Sequence, residues 1–480
     1  MESLPIIDGI YQGNEGLKLE FKSALKGIPK STWDTYSAFA NTVGGRIIIG
    51  INDESKEVEG VPKSELRIQE LWNNLNNSEV VNHNILSEKD IWKYDIGDKT
   101  LIIIDVPQAD RYIRPIFHRD LDTGTFKRNG EGDYRCKLPE IASMLRDQSY
   151  ISYDSTLLEE TAFEDIDMET FHAYRNYLSV TSPDHPWRGL SDEEFAKRIG
   201  AVVVKDGKNI LTVAGLLMFG KEYVIYRSFP NYKLDYQEYR NGDKAWIYRL
   251  VTGDGTWEGN VFNYFVKIAN RLTSDLDRPL VIGSDMRRID DTDDRKAVRE
   301  CLLNSLIHAD YFGNLTVKVV KRDDSLTMSN SGIFRIPLDI AKGGGESDPR
   351  NGVMAKMFSM IGMVERAGVG VNMICNIWMR MYGVEPLIIE DTEKDTITFD
   401  LQTRPVVNRK DLDERIIAEI MKNPRITIPE TALRLGVSVA TVSNHLRGMR
   451  ESGRIRRIGG TRGHWEIIDG TDAGIGPSTH

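Results

Sequence analysis

The chain has 480 residues, 40% hydrophobic and 28% charged, and a net charge of −10 at pH 7. That length exceeds what one hydrophobic core supports and implies three or four domains, while the unbiased composition excludes a largely disordered polymer. The negative balance excludes blanket electrostatic attraction to nucleic acid, so any such binding must use a local basic face.

The apolar runs Ile47 to Ile51 and Leu101 to Ile104 are far shorter than the roughly 20 residues of a membrane span and read as buried strands. No basic, apolar and small-residue order opens the chain, so a secretory signal is not expected, no membrane partner is expected, and the cytoplasm is the expected location. Cys136, Cys301 and Cys375 lie far apart without CxxC or His spacing, which predicts buried free thiols rather than zinc ligands.

Residues 1–150 predict an α/β or α+β domain: a helix over 33–42, the strands RIIIGI and TLIIIDV, and the GTFKRNG turn. The helix carrying Tyr36, Phe39 and Ala40 ends at Gly44-Gly45 and a strand begins at once. So short an exit needs the positive φ that glycine allows. EGLKLEFKSAL and YSAFANTVGGRIIIGINDE resemble the AlbA-like domain of the Schlafen family and of the bacterial proteins long labelled divergent AAA; FKRNGEGDYR resembles that family's closing turn. In nuclease members the resemblance implies a metal site made of two glutamates five apart and an aspartate after the strand. The matching residues are Glu15, Glu20 and Asp53, oxygen ligands suited to Mg²⁺ or Mn²⁺ that would activate water. Asn52 stands where the family usually has a further aspartate. On the residues alone, the competing reading pairs Glu20 with Lys22 or Arg46 and leaves Glu15 and Asp53 as solvated turn residues. Lys22, Arg46, Lys127 and Arg128, with Arg111, Arg114, Arg119 and Arg135, are interleaved with Tyr112, Phe117, Phe126 and Tyr134. That mixture contacts phosphates and stacks on bases; a solvated face is the alternative.

Residues 151–290 read as a connecting α/β region with a helix from Glu164 to Leu178, a strand-like Ile210 to Phe219 and an aromatic-rich 228–258, and no assignable chemistry. Residues 291–405 predict a third domain, with a helix from Arg295 to Asp310 and strands Leu315 to Val320 and Ser325 to Met328. RKAVRECLLNSLIHADY resembles the N-box of the GHKL ATPases, with Glu300, Asn304 and His308 at i, i+4 and i+8, close to one helix face. The resemblance implies ATP and Mg²⁺ as cofactors, Asn304 holding the metal and Glu300 orienting the attacking water. TMSNSGIF stands where that family reads adenine, with Asn330 in place of the usual aspartate and Gly332 at the matching glycine. An asparagine carbonyl still accepts from an adenine amino group, without the charge that strengthens the bond. KGGGESDPRNG and ERAGVGV add Arg350, Gly368 and Gly370, the glycines letting backbone N–H groups approach phosphates. Taken singly, each piece also reads as a surface helix or a simple turn.

RPVVNRKD is a polar linker. Within 410–468, helices at Asp411 to Lys422, Pro429 to Leu435 and Val439 to Glu451, a turn at Gly436-Val437, and strands Arg454 to Ile458 and His464 to Ile468 give winged helix-turn-helix spacing. Ala432, Leu433, Val437, Val442, Leu446 and Met449 are the expected core. Ser438, Thr441, Ser443, Asn444 and Arg447, with Arg456, Arg457 and Arg462 of the wing, are the expected DNA-facing residues. Between Arg409 and Glu466 twelve Lys/Arg face seven Asp/Glu, a basic segment in an acidic chain. It resembles bacterial winged-helix transcription regulators; protein contacts alone are the alternative. Residues 469–480 read as a flexible tail.

The expectation is a multidomain α/β (α+β) chain: a Schlafen AlbA-like domain, a GHKL or Bergerat-like ATP-binding domain and a C-terminal winged helix. The resemblance implies an ATP-binding regulator, a weak ATPase at most, that engages DNA, with RNA also open at the front domain, as a homo-oligomer. The alternative is a metal-dependent nuclease of RNA or DNA acting in stress or phage defence; a third reading is a scaffold without a live nucleotide site.

Overall fold

The isoleucine runs form the middle of a sheet buried on both faces. Its elements are β1 (Leu19–Lys22), α1 (Thr32–Asn41), β2 (Gly45–Ile49), α2 (Ser64–Leu75), β3 (Ile91–Ile96) and β4 (Lys99–Val106). The strand order is β1-β2-β4-β3, with β1 parallel to β2 and the other pairs antiparallel. Alternate side chains take opposite faces: Ile47, Ile49, Ile102 and Ile104 meet Tyr36, Phe39 and Leu71 of the helices, while Ile48, Leu101 and Ile103 meet Phe21 and Val58. Burial on both faces is why the strands carry no polar alternation, and each such side chain contributes roughly 1.5–3 kcal/mol.

The computed structural model describes residues 4–240, 244–274, 292–313, 317–363, 370–392, 394–403, 409–435, 439–451, 453–458 and 464–468. Of the two glycines at the exit of α1 only Gly44 takes positive φ, +73°. Gly45 is needed for space: a Cβ there would lie 2.8 Å from the Phe39 ring. The hairpin β5 (Phe126–Asn129) and β6 (Gly132–Arg135) lies on α1, Phe126 donating to Ser37 Oγ at 2.9 Å, and leads into α3 (Leu138–Asp147).

Next come α4 (Met168–Thr181), α5 (Asp192–Ile199), the hairpin β7 (Val202–Lys205) and β8 (Lys208–Leu211), and α6 (Val213–Phe219). The expected strand Ile210 to Phe219 is therefore β8 followed by a helix. Thr212 caps that helix by accepting from Gly215 N at 3.0 Å, and Gly215 permits its close approach, since a Cβ there would meet Ala201 O at 2.1 Å. An apolar run broken only by Thr212 and Gly215 carries too little periodicity to separate the two.

The chain continues through β9 (Leu234–Glu238), β10 (Tyr248–Val251), α8 (Val261–Thr273) after the short α7 (Glu222–Ser228), α9 (Asp293–Ile307), β11 (Val317–Lys321), β12 (Ser325–Ser331), α10 (Leu338–Gly343), α11 (Gly352–Met360), α12 (Gly370–Tyr382), β13 (Leu387–Asp391) and β14 (Thr396–Gln402). They share one six-stranded sheet, ordered β10-β9-β11-β12-β14-β13 with β9 parallel to β11. A division at residue 290 would cut through this sheet and through the hydrophobic core that runs from Ile166 to Leu401. The parallel pair needs a helical crossover, and α8 and α9 occupy the stretch between its strands.

The chain divides after Thr403. The second unit holds α13 (Arg409–Lys422), α14 (Ile428–Leu435), α15 (Val439–Glu451) and the antiparallel pair β15 (Ile455–Ile458) and β16 (His464–Ile467). Ala432, Val442, Leu446 and Met449 are buried with Leu412, Ile416, Ile420, Ile455 and Trp465; Val437 and the Leu433 side chain lie outside the described residues. Thr427 and Glu430 form a reciprocal cap before α14, Glu430 N donating to Thr427 Oγ1 and Thr427 N to Glu430 Oε2. Among the described residues no helix is long and apolar enough to cross a membrane.

Candidate nucleotide site and nucleic-acid interface

One face of α9 carries Glu300 and Asn304, with His308 just beyond its end; β12 ends with Asn330 and Ser331; α12 begins at Gly370. Glu300, Asn304, His308, Asn330 and Gly370 line one cleft with an apolar side of Phe334, Ile397 and Phe399. It encloses about 710 Å³ of atom-free space, part of it open to solvent. Asn304 Nδ2 donates to Glu300 O at 3.0 Å and to Glu300 Oε1 at 3.2 Å. A Cβ on Gly370 would lie 2.6 Å from Glu300 Oε1 and 2.8 Å from Asn304 Nδ2. Glycine thus lets the positive end of α12 close onto these groups. Asn330 is buried and donates to Ser331 O at 3.0 Å. Burial, helped by the Arg350 and Arg335 guanidiniums, pushes the His308 imidazole down to about 3, so it enters the cleft neutral. Gly368 lies outside the described residues.

Gly332, expected in the adenine-reading turn, and Arg350, expected at the nucleotide, pack against each other. Gly332 has φ +88°, and a Cβ there would sit 1.8 Å from Arg350 Nη1. The buried Arg350 guanidinium donates to Asp147 Oδ1 at 3.2 Å and Oδ2 at 2.8 Å, to His308 O at 2.9 Å and to Ile333 O at 3.4 Å. It is committed to the last carboxylate of α3 instead of facing a phosphate. Arg335, which lines the cleft, donates to the same carboxylate at 3.0 and 2.6 Å. Burial alone would raise the Asp147 carboxyl, but the two guanidiniums outweigh it and hold it far below the usual carboxylate range. Asp348, also in the cleft lining, pairs with Arg111 of the first domain. Sequence reasoning missed Asp147, Arg335 and Asp348, because nothing local marks partners some 200 positions apart.

Of the carboxylates Glu15, Glu20 and Asp53, the first two are engaged with neighbouring protein groups. Glu15 is half-buried, accepts from Phe21 N at 2.8 Å and lies 3.9 Å from Lys56 Nζ; burial pushes its carboxyl up. Glu20 is paired with Lys22 and, at 2.7 Å, with Arg128. Asp53 is exposed, and its carbonyl accepts from Lys56 Nζ. The competing Glu20–Lys22 pair is therefore present, while Arg46 binds Asp105 at 2.6 and 3.1 Å. Among the described residues no three His, Cys, Asp or Glu are grouped to hold a metal ion.

Arg128, expected to contact nucleic acid, has no exposed surface and donates to Gly16 O, Leu19 O and Asp133 Oδ1. It ties the hairpin to β1 and cannot reach a phosphate. Lys127 is also buried, 3.7 Å from Glu140. Tyr134, Arg135 and Lys137 are exposed. In the second unit Ser443 and Arg447 are exposed, Arg456 pairs with Glu466, and Arg457 lies 4.7 Å over the Trp465 ring. Ser438 and Arg462 lie outside the described residues, as do the side chains of Thr441 and Asn444.

Four family models match separate stretches of the chain. Residues 15–137 match Schlafen, AlbA_2; 142–235 match a domain of unknown function, DUF8451; 315–399 match "Putative ATP-dependent DNA helicase recG C-terminal", an ATPase-like family; 409–456 match winged helix-turn-helix DNA-binding. The chain is thus a multidomain protein of mixed α/β class, with a Schlafen AlbA_2 domain, a recG-C-terminal ATPase-like domain and a DNA-binding winged helix. Among solved structures it is similar to the DIP2311 protein from Corynebacterium diphtheriae, at 20% identity over 97% of this chain and 94% of that one, TM-score 0.41. It is also similar to the N-terminal domain of a "Putative ATP-dependent DNA Helicase RecG-related Protein" from Nitrosomonas europaea, at 30% identity over 26% of this chain and 87% of that one, TM-score 0.20. No curated protein matches.

Proposed function

We propose that this protein is a cytoplasmic, ATP-binding regulator of DNA that works as a homo-oligomer, its winged helix gripping the duplex and nucleotide occupancy altering how the chain engages its target. The carrying observation is that Glu300, Asn304, His308, Asn330 and Gly370, from three separate segments, meet in one cleft. Asn330 suits the adenine edge, and the N-terminus of α12 suits phosphates. The donor set fits Mg²⁺, which prefers oxygen ligands: Asn304 would hold it through its side-chain oxygen, and it would neutralise charge on the phosphates. Glu300 is placed to accept a proton from water, in keeping with slow hydrolysis. In the second unit the excess of cations on the winged-helix segment supports phosphate contact.

Calorimetric titration of the full chain with ATP and Mg²⁺ tests this reading. Binding that weakens at least tenfold in Asn304→Ala, with an unchanged melting temperature, supports it. No heat of binding at millimolar ATP overturns it.

A further inference from the structure

Of the cations expected to meet nucleic acid at the first domain, Arg111, Arg114, Lys127 and Arg128 are buried, while the exposed Arg135 and its neighbour Lys137 line a second, larger depression. We propose that the groove between hairpin β5–β6, the start of α3 and the loop after α9 binds single-stranded nucleic acid. This rests on the reading of the N-terminal domain as nucleic-acid-binding and says where that binding occurs.

The groove contains about 2060 Å³ of atom-free space, part of it open to solvent, against about 710 Å³ in the cleft, and is the roomier of the two. Six lysines and arginines and three carboxylates are among its described lining residues, but Lys127 and Arg128 are buried in ion pairs. Arg135 and Lys137 are exposed and have no acidic partner among the described residues, Arg135 donating its Nε–H to Thr123 O at 3.3 Å, so both charges are open to phosphates. Arg146 is less so, pairing with Asp310 at 2.7 Å.

An aromatic ring stands on each side. Tyr134 is 59% exposed and its ring rests on Gly132, where a Cβ would sit 2.6 Å from Tyr134 Cε2. Phe312 is 39% exposed, held edge-on by Tyr153 at 4.7 Å and Phe229 at 5.0 Å, with the Arg146 guanidinium 5.4 Å from its centroid. Rings held by neighbours yet partly exposed offer stacking at little entropic cost. Bases in a duplex already stack on one another, so this combination of open rings and free cations selects unpaired strands. The groove also backs onto the nucleotide cleft: Ser331 lines the groove, and its neighbour Asn330 lines the cleft.

The test is fluorescence anisotropy of the full chain with labelled oligo-dT and oligo-U of about 12 nucleotides, within the range of single-strand sites, beside a labelled duplex. Tyr134→Ala is expected to weaken single-strand binding roughly 5- to 150-fold, the loss of one stacked base, while Tyr134→Phe retains it. The double variant Arg135→Glu, Lys137→Glu is expected to lower the salt dependence by about two phosphate contacts. Neither change should alter duplex or ATP binding, and the stronger of the two oligomers tells DNA from RNA. Wild-type affinity in both variants, or a wild-type chain that binds duplex but neither oligomer, overturns the groove assignment. A chain that binds no nucleic acid at all overturns the underlying functional reading instead.

Discussion

Replacing Asp147 by asparagine would remove the counter-charge of two buried guanidiniums. Asp147 accepts four hydrogen bonds, from Arg335 at 2.6 and 3.0 Å and from Arg350 at 2.8 and 3.2 Å. The Arg335 and Arg350 side chains are only 6% and 7% exposed. Water cannot replace the lost carboxylate, and breaking a buried pair from one side costs about 3–5 kcal/mol. The exposed pair Arg380–Asp293, 61% and 47% exposed, is a built-in control, because surface pairs contribute about 0–1 kcal/mol. Urea unfolding of the full chain, followed by tryptophan fluorescence, should show Asp147→Asn losing several times more stability than Arg380→Ala. The pH dependence has a fixed sign. Asp147 is held below its unfolded value of about 3.9, so its contribution is complete above about pH 5 and disappears as pH falls through the lower folded value. The gap between wild type and Asp147→Asn should therefore be flat from pH 8 to 5 and close below pH 4. Equal losses in Asp147→Asn and Arg380→Ala would refute the reasoning.

Gly332→Ala combines a φ of +88° with a Cβ 1.8 Å from Arg350 Nη1, and should cost at least about 2 kcal/mol in the same unfolding assay. Gly370→Ala places a methyl 2.6 Å from Glu300 Oε1; calorimetry should show weaker ATP binding with the melting temperature nearly unchanged. His308, pushed down to about 3, should show no imidazole titration by NMR between pH 8 and 5, whereas a midpoint above 6 would contradict its placement against Arg350. Trp465→Ala should unfold the winged-helix unit, at a cost of about 3–5 kcal/mol, because Trp465 is only 5% exposed within its small core.

Local pattern made much of the fold readable. The isoleucine runs mark a doubly covered sheet, and the spacing of Ala432, Val442, Leu446 and Met449 marks a three-helix core. The N-box spacing brought Glu300, Asn304 and His308 to one cleft because positions four apart share a helix face. What failed was non-local. A cation reads alike in sequence whether it is solvated or buried, so Arg128 and Arg350 passed as ligand contacts until Asp133 and Asp147 appeared beside them. The pairing of Leu234–Glu238 with Val317–Lys321 joins strands 83 positions apart, and no local signal reports such a partner.

The most direct test of the central claim, that the cleft beside Asn304 is a nucleotide site, is a crystal structure of the full chain grown with a non-hydrolysable ATP analogue and Mg²⁺. The account predicts adenine at Asn330, phosphates at the N-terminus of α12 and the metal at Asn304. Nucleotide density elsewhere, or an empty cleft at saturating analogue, would contradict it.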